Sequence, residues 1–232
     1  MGAMWDVFYR HMITNEGYKD VLVGLGNTAL IAVLGLLIGM VIGCLLATVQ
    51  ILPKSSFIVK LLSGAANVYI AIFRGMPMVV QLLFMHFVIF PLLGIKINDI
   101  AEAVLIFGLN SGAYVSEMMR GGILSVDIGQ TEAGRALGLN YVQTMIRIVI
   151  PQAIKNIIPT LGNEFIALLK ETSVLSFIAV TDLTLAFKRC ADNTFEPLIP
   201  YAVLALVYLV LVLIATGIVK LIERRLRAGD KR

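Results

Sequence analysis

Two carboxylates, Glu117 and Glu164, interrupt otherwise apolar stretches of this chain, and Gln81, Asn110, Ser111, Tyr114 and Asn163 share those stretches. Ionisable and amide groups are costly away from water, so residues like these mark a ligand path by default. Asn110, Tyr114 and Glu117 are spaced by four and three, which puts them on one helical face with Ser111 beside them. Glu164 is the sharper case. No basic residue stands three or four positions from it, and a desolvated carboxylate must find a partner or take up a proton. Plainer readings stand beside these. Glu117 can pair with Arg120 at the interface, and Gln81 and Asn110 can serve as hydrogen-bonding glue between helices.

Other chemistries lack their residues. There is no GxxxxGK[ST] phosphate loop and no Ser/His/Asp set, so no catalytic residue is assigned. His86 lies inside an apolar run and reads as a hydrogen-bonded packing residue, while His11 stands near the N-terminus. Cys44 and Cys190 are far apart and fit no metal-ligand spacing; Cys44, inside an apolar run, reads as a small core residue. No metal site is expected.

The elements that carry these groups are membrane spans. Of the 232 residues 59% are hydrophobic and only 15% charged, against about 25% charged in an average soluble domain. That excludes both an ordinary soluble fold and disorder. The net charge of +4 does not point to nucleic acid, because the basic residues flank apolar runs and crowd the C-terminus. At roughly 20 apolar residues per crossing, the chain accommodates five or six spans.

The first span is charge-free, from Val21 to Leu52, behind a mixed segment over residues 1–20; it reads as a permanent helix rather than a processing signal. Gly35, Gly39, Gly43 and Ala47 recur every fourth residue along it, a face on which another helix can approach closely. After a polar Pro53-Lys54-Ser55-Ser56 turn, an amphipathic stretch, Phe57 to Phe73, is broken at Arg74-Gly75-Met76-Pro77 before the apolar run Met78 to Leu93. Charge decides whether these two pieces form one crossing or two. With one crossing there are five spans, and thirteen of the 19 basic residues fall inside: Lys54, Lys60, Arg74, Arg120, Arg135, Arg147, Lys155 and six near the C-terminus. Arg10, Lys19, Lys96, Lys170, Lys188 and Arg189 fall outside. This favours an external N-terminus and a cytoplasmic C-terminus. The third, fourth and fifth spans run about Ile100 to Met119, Ala153 to Leu169 and Pro200 to Val219; the fifth ends in a basic cluster that suits anionic lipid headgroups, and a basic tail follows over 226–232.

A cytoplasmic segment from Arg120 to Pro151 is long for a connection. Thr131 is an expected N-cap, Glu132 complements the helix dipole, and Gly138 is a C-terminal stop, which predicts a short helix over Glu132 to Leu137. A second is predicted over Tyr141 to Val149, ending at Pro151. Such marginal helices need packing, on their own protein or in a partner's groove.

Glu132-Ala133-Gly134-Arg135-Ala136-Leu137-Gly138, followed by Ile148-Val149-Ile150-Pro151, resembles the EAA loop of ABC importer permeases. Further stretches resemble the polar amino-acid branch: Phe73-Arg74-Gly75-Met76-Pro77 with Gln81, Ser111 to Glu117, Arg120 to Ile123, and Gly162 to Phe165 with Lys170-Glu171-Thr172-Ser173. Gly134 and Ile150 depart from the family's alanine and leucine. The resemblance implies an all-α polytopic membrane protein with five transmembrane helices of the type I (MetI-like) importer fold, spanning residues 21–225. It implies a coupling role for Glu132 to Gly138 on an ATPase subunit, and an outer gate at Lys170, Glu171, Thr172 and Ser173, for which a solvated loop terminus is the plainer reading. Partners would be ATPase subunits that bind ATP and magnesium, a second permease copy or close homologue, an extracytoplasmic amino-acid-binding protein and membrane lipid. The setting implied is the bacterial cytoplasmic membrane. On that footing Glu164 and Glu117 favour an α-ammonium or a cationic side chain, so arginine, lysine or histidine suits better than an acidic cargo. An ATP-independent carrier or channel is the alternative, and would be expected to show inverted repeats, none of which is visible.

Overall fold

A computed structural model describes residues 2–53 and 56–228, and all its regular structure is helical. Lys54, Ser55, Lys231 and Arg232, used in the charge and turn readings, lie outside the described residues. A short helix α1 (Gly2–Tyr9) runs through a π turn, Arg10–Thr14, before the long α2 (Tyr18–Ile51). Then come α3 (Phe57–Gly75) and α4 (Met78–Leu92), followed by α5 (Asp99–Leu124). Next are α6 (Ile128–Ala136), α7 (Tyr141–Thr144) and α8 (Ile150–Glu171). A 3-10 segment, Thr172–Ile178, leads to α9 (Leu183–Thr194) and α10 (Leu198–Ala228).

By length and composition α2, α3 and α10 can each cross a membrane, and α4 is a shorter apolar helix. The charged and amide groups of α5 and α8 dilute their apolar character, yet α5 is well enclosed: Ala103, Ile106, Phe107, Ala113 and Val115 are fully buried. Leu22, Val41, Leu45, Leu206 and Leu213 are exposed on α2 and α10. A helix that turns its leucines outward and its small and polar residues inward has lipid, not water, as its expected surroundings.

The glycine stripe of α2 is where α5 lies. Gly35, Gly39, Gly43 and Ala47 are all buried. A Cβ on Gly39 would stand 2.7 Å from the Ser111 Cβ, and one on Gly43 2.6 Å from Val115 Cγ1. In return Ile38 and Ile42 of α2 fill the space over Gly108 and Gly112 of α5. The backbones meet at van der Waals distance along both helices, which is the main attraction available where no hydrophobic effect operates.

The break between α3 and α4 falls at the expected place. Met76 and Pro77 are extended, and the Gln81 side chain closes the gap: its Nε2 donates to the Phe73 carbonyl at 2.6 Å and the Met76 carbonyl at 2.7 Å. Carbonyls freed at a broken helix need such partners away from water. Tyr69 of α3 donates to the Leu109 carbonyl of α5 at 2.6 Å, tying the helices together.

Three expectations need correction. The first helix after α5 starts at Ile128, capped by Asp127, whose carboxylate accepts from the Gly129 N–H; Thr131 lies inside it. It stops one residue early, at Ala136, with Gly138 in the left-handed region at φ 82°. The helix begun at Tyr141 does not end at Pro151. It opens on a capping box of Asn140 and Gln143, passes through a π turn, Met145–Val149, and continues as α8. Proline is tolerated there because the π turn directly before it breaks the regular hydrogen-bond ladder where a residue without an N–H enters the continuing helix. Lastly, Cys44 is exposed rather than core: it borders an apolar pocket of about 430 Å³, while Cys190 is the buried cysteine.

Candidate functional site

The polar residues singled out by spacing separate into three groups. The first is the contact of α5 with α8. Ser111 is fully buried and donates from Oγ to Glu164 Oε1 at 2.9 Å. Glu164 is 7% exposed, and among the described residues no ion pair reaches it. Gly39 presses on Ser111 from behind, so the serine is positioned by backbone rather than by a movable side chain. Asn110 is buried one residue away, whereas Asn163, beside Glu164, is exposed. A carboxylate whose hydrogen-bond partner is a neutral hydroxyl keeps its affinity for a cation.

The second group lies six residues further along α5, somewhat over one and a half turns. Glu117 accepts from Arg120 through both oxygens, at 3.1 Å from Nε and 2.9 Å from Nη2. Arg74, from the end of α3, brings Nη1 to 3.4 Å from the same carboxylate and sets its guanidinium 5.5 Å from the centre of the Tyr114 ring. Glu117 therefore does not await an ammonium group: two guanidiniums already neutralise it. Arg120 was visible at i+3, but Arg74 was not, since no helical period joins positions 74 and 117. Gln81 belongs to the break between α3 and α4, and its Oε1 is buried with no hydrogen-bond partner among the described residues. Beside this group an open cleft of about 570 Å³ is bordered by Met118, Gly121, Ser125, Asn156 and Thr160. Asn156 of α8 donates to Ser125 Oγ of α5 at 2.9 Å.

The third group surrounds the 3-10 segment. Lys170 is exposed and Glu171 half-buried; burial raises the Glu171 carboxyl above its usual range, and Lys170 acts the other way. Thr172 is fully buried and donates to the Leu169 carbonyl at 2.8 Å, and Ser173 shares a cavity with Lys170 and Tyr208.

Sequence reasoning missed Asp182. With no exposure, it caps α9 by accepting the Thr184 and Leu185 amides, each at 2.9 Å. Burial lifts its carboxyl above the usual range, with those amides pulling it down. Its backbone lies against Gly24, where a Cβ would come within 2.5 Å of the Asp182 carbonyl, and Asn27 donates to the Thr181 carbonyl at 2.7 Å. The Asp-Leu-Thr-Leu start of α9 is a readable capping signal; its burial under α2 is not. His86 meets Glu102 at 2.7 Å, consistent with a hydrogen-bonded packing role.

In α6 Glu132, Ala133, Arg135 and Ala136 are exposed, as is Leu137 just after it, at 80%. Gly134 is buried: a Cβ there would stand 2.8 Å from Thr144 Cγ2 and 3.0 Å from Ile148 Cδ1. The departure from alanine at this position therefore lets α6 lie closely on the start of the α7–α8 helix, with its other face open. Among the described residues no group of three histidine, cysteine, aspartate or glutamate side chains could hold a metal ion.

The family described as the binding-protein-dependent transport system inner membrane component matches residues 35–228. The arginine transport system permease protein ArtQ of Bacillus subtilis is 39% identical over 210 residues, 90% of this chain and 94% of that protein. A putative glutamine transport system permease protein, GlnP of Rickettsia typhi, is 37% identical over 195 residues, covering 84% and 87%. Among solved structures, an amino acid ABC transporter crystallised with histidines superposes at a TM-score of 0.84 with 35% identity, covering 92% of this chain and 97% of that one. The inward-facing MetNI methionine ABC transporter shares the fold, at a TM-score of 0.74 and 17% identity. With most of its length matched, and an exposed loop helix beside a polar seam between two helices, this chain belongs to the inner membrane components of binding-protein-dependent transport systems, the permease subunits of ABC importers.

Proposed function

We propose that the chain forms the translocation path of an ATP-driven importer for a polar, and by preference cationic, amino acid. The Ser111–Glu164 contact carries this reading: a buried carboxylate with no cationic partner stands where α5 and α8 meet. The names of the arginine and glutamine permeases to which the chain is similar support the substrate class. Asn110, Tyr114 and Asn163 stand along the same path.

In this reading five helical crossings, with α3 and α4 counted as one, place the N-terminus outside and the C-terminus in the cytoplasm of a bacterial inner membrane. The permease works as a pair, with a second copy or a close homologue, and receives cargo from an extracytoplasmic binding protein. ATP and magnesium are bound by two ATPase subunits. Glu132 to Gly138 couple to those subunits through the exposed face of α6, and their nucleotide-driven closure rocks the spans between outward and inward access. Lys170 to Ser173 form the outer gate, anchored by buried Thr172. The basic end of α10 lies against anionic lipid.

The test is reconstitution with the partner ATPase. Gly138→Trp, which puts a bulky side chain where the backbone needs a positive φ, and Glu132→Lys are expected to weaken ATPase copurification or uncouple hydrolysis from uptake while the membrane fold survives. Undiminished coupling in both variants would remove the assignment of this loop.

A further inference from the structure

The chain has one tryptophan, Trp5, and it stands on α1, ahead of the first span. Three sides of the segment from α1 through its π turn differ in what they meet. Phe8 and Met12 turn inward and pack in one cluster with Leu183 and Phe187 of α9 and Val203 of α10. Trp5, Tyr9 and Ile13, spaced by four, stand out on the next side, at 50%, 64% and 52% exposure. One residue further round, Asp6, Arg10 and Thr14 make an exposed polar stripe. The Trp5 ring meets Phe8 edge-on at 5.9 Å, so the packed side braces the exposed one.

Neither bulk water nor the bilayer centre suits this pattern. Two aromatic rings and an isoleucine in a row are costly in water, and the charges of Asp6 and Arg10 are costly in hydrocarbon. The boundary between the two suits both stripes, because tryptophan and tyrosine carry an apolar body and a hydrogen-bonding tip. Neighbouring residues mark the same level. Tyr18 opens α2 and Tyr201 lies in the first turn of α10, and both are exposed. Further along each helix the outward leucines follow, Leu22 on α2 and Leu206 on α10. The aromatic stripe thus continues the surface that these spans turn to lipid. It is not the start of a longer span. Glu16, in the left-handed region at φ 58°, and Gly17, where a Cβ would stand 2.8 Å from the His11 ring, break α1 from α2.

We infer that α1 is an interfacial anchor: Trp5, Tyr9 and Ile13 enter the lipid headgroup layer at the end of the bundle where α2 and α10 begin, and Phe8 and Met12 hold α9 to that layer. A helix of this kind sinks roughly 5–10 Å into the boundary of headgroups and acyl chains. The leaflet is the outer one in the orientation proposed above and rests on that reading; the depth does not. The anchor gives α9, which follows the 3-10 segment and its buried Asp182 cap, a fixed level while the spans rock.

The experiment is tryptophan emission from the complete transporter in lipid nanodiscs, with the spectrum of a Trp5→Phe complex subtracted to remove the tryptophans of partner subunits. The lipid is brominated either just below the headgroup or near the chain ends, and iodide is the quencher in water. Shallow bromine is expected to at least about halve the Trp5 signal, with deep bromine and iodide each much weaker. Moving the probe to the polar stripe, as Trp5→Phe with Asp6→Trp, is expected to favour iodide over bromine. Quenching by iodide alone would put the stripe in water, and quenching by neither would put it under a second copy or another protein. Strongest quenching by deep bromine would make α1 part of a span, and equal behaviour at positions 5 and 6 would remove the sidedness; each of these overturns the anchor. Iodide reaches both faces of a nanodisc, so an inverted orientation leaves the readings unchanged and is not confused with failure of the anchor.

Discussion

Glu164 and Glu117 are both carboxylates on helices that meet in the centre of this protein, and their surroundings are opposite. Glu164 is buried against a single hydroxyl, while Glu117 is half-buried between two guanidiniums from two helices. The first keeps an unmet demand for positive charge. The second has had that demand met, and more. A carboxylate at membrane depth is therefore not by itself a sign of cation recognition; what decides is whether the fold has already supplied the partner.

The comparison breaks most completely if the support behind Ser111 is removed. Gly39→Leu is expected to force α2 and α5 apart, since even a Cβ there would stand 2.7 Å from Ser111, and overpacking of this kind costs about 1–3 kcal/mol or more. Thermal unfolding of the purified complex should show a clear loss of stability, and uptake should fall towards background. Gly26→Leu, at a position with open space on the same helix, should leave both near wild type.

Ser111→Ala acts on one carboxylate alone. It removes the donor to Glu164 and leaves that group buried without its hydrogen bond, a loss of roughly 1–3 kcal/mol. Uptake by reconstituted transporter should drop about tenfold, with the Arg74–Glu117–Arg120 cluster unaffected. A decline no larger than that of an exposed control such as Leu206→Ala would argue that Ser111 only packs.

A smaller effect is expected at the neutralised partner. Glu117→Gln loses a part-exposed ion pair, worth about 0–1 kcal/mol. Uptake of cationic cargo should change by less than about fivefold, and should not fall as in a lost cation site. A collapse of cationic uptake equal to that of a Glu164 variant would erase the distinction between the two residues.

The difference between the carboxylates also marks how far the sequence can be read. The isolation of Glu164 was legible because helical partners lie within four residues, and none was basic. The four-residue glycine period named the packing face of α2 for the same reason, and the Arg74–Pro77 break was legible in its proline. Arg74 reaching Glu117, Asp182 lying under Gly24, and His86 meeting Glu102 were not legible, because each joins elements with no shared period. Helix limits failed where two signals competed: Asp127 capped α6 before Thr131 could, and Pro151 followed a π turn inside a continuing helix instead of ending one. Cys44 was misread because an apolar run facing lipid looks in sequence like one facing a core.

The most direct measurement is uptake of arginine and of glutamine into proteoliposomes holding the complete transporter, wild type against Glu164→Gln, each cargo presented by its loaded binding protein. The account predicts that arginine uptake falls at least tenfold while glutamine uptake stays within about threefold, because the carboxylate serves a cationic side chain. Unchanged kinetics for both amino acids would contradict it.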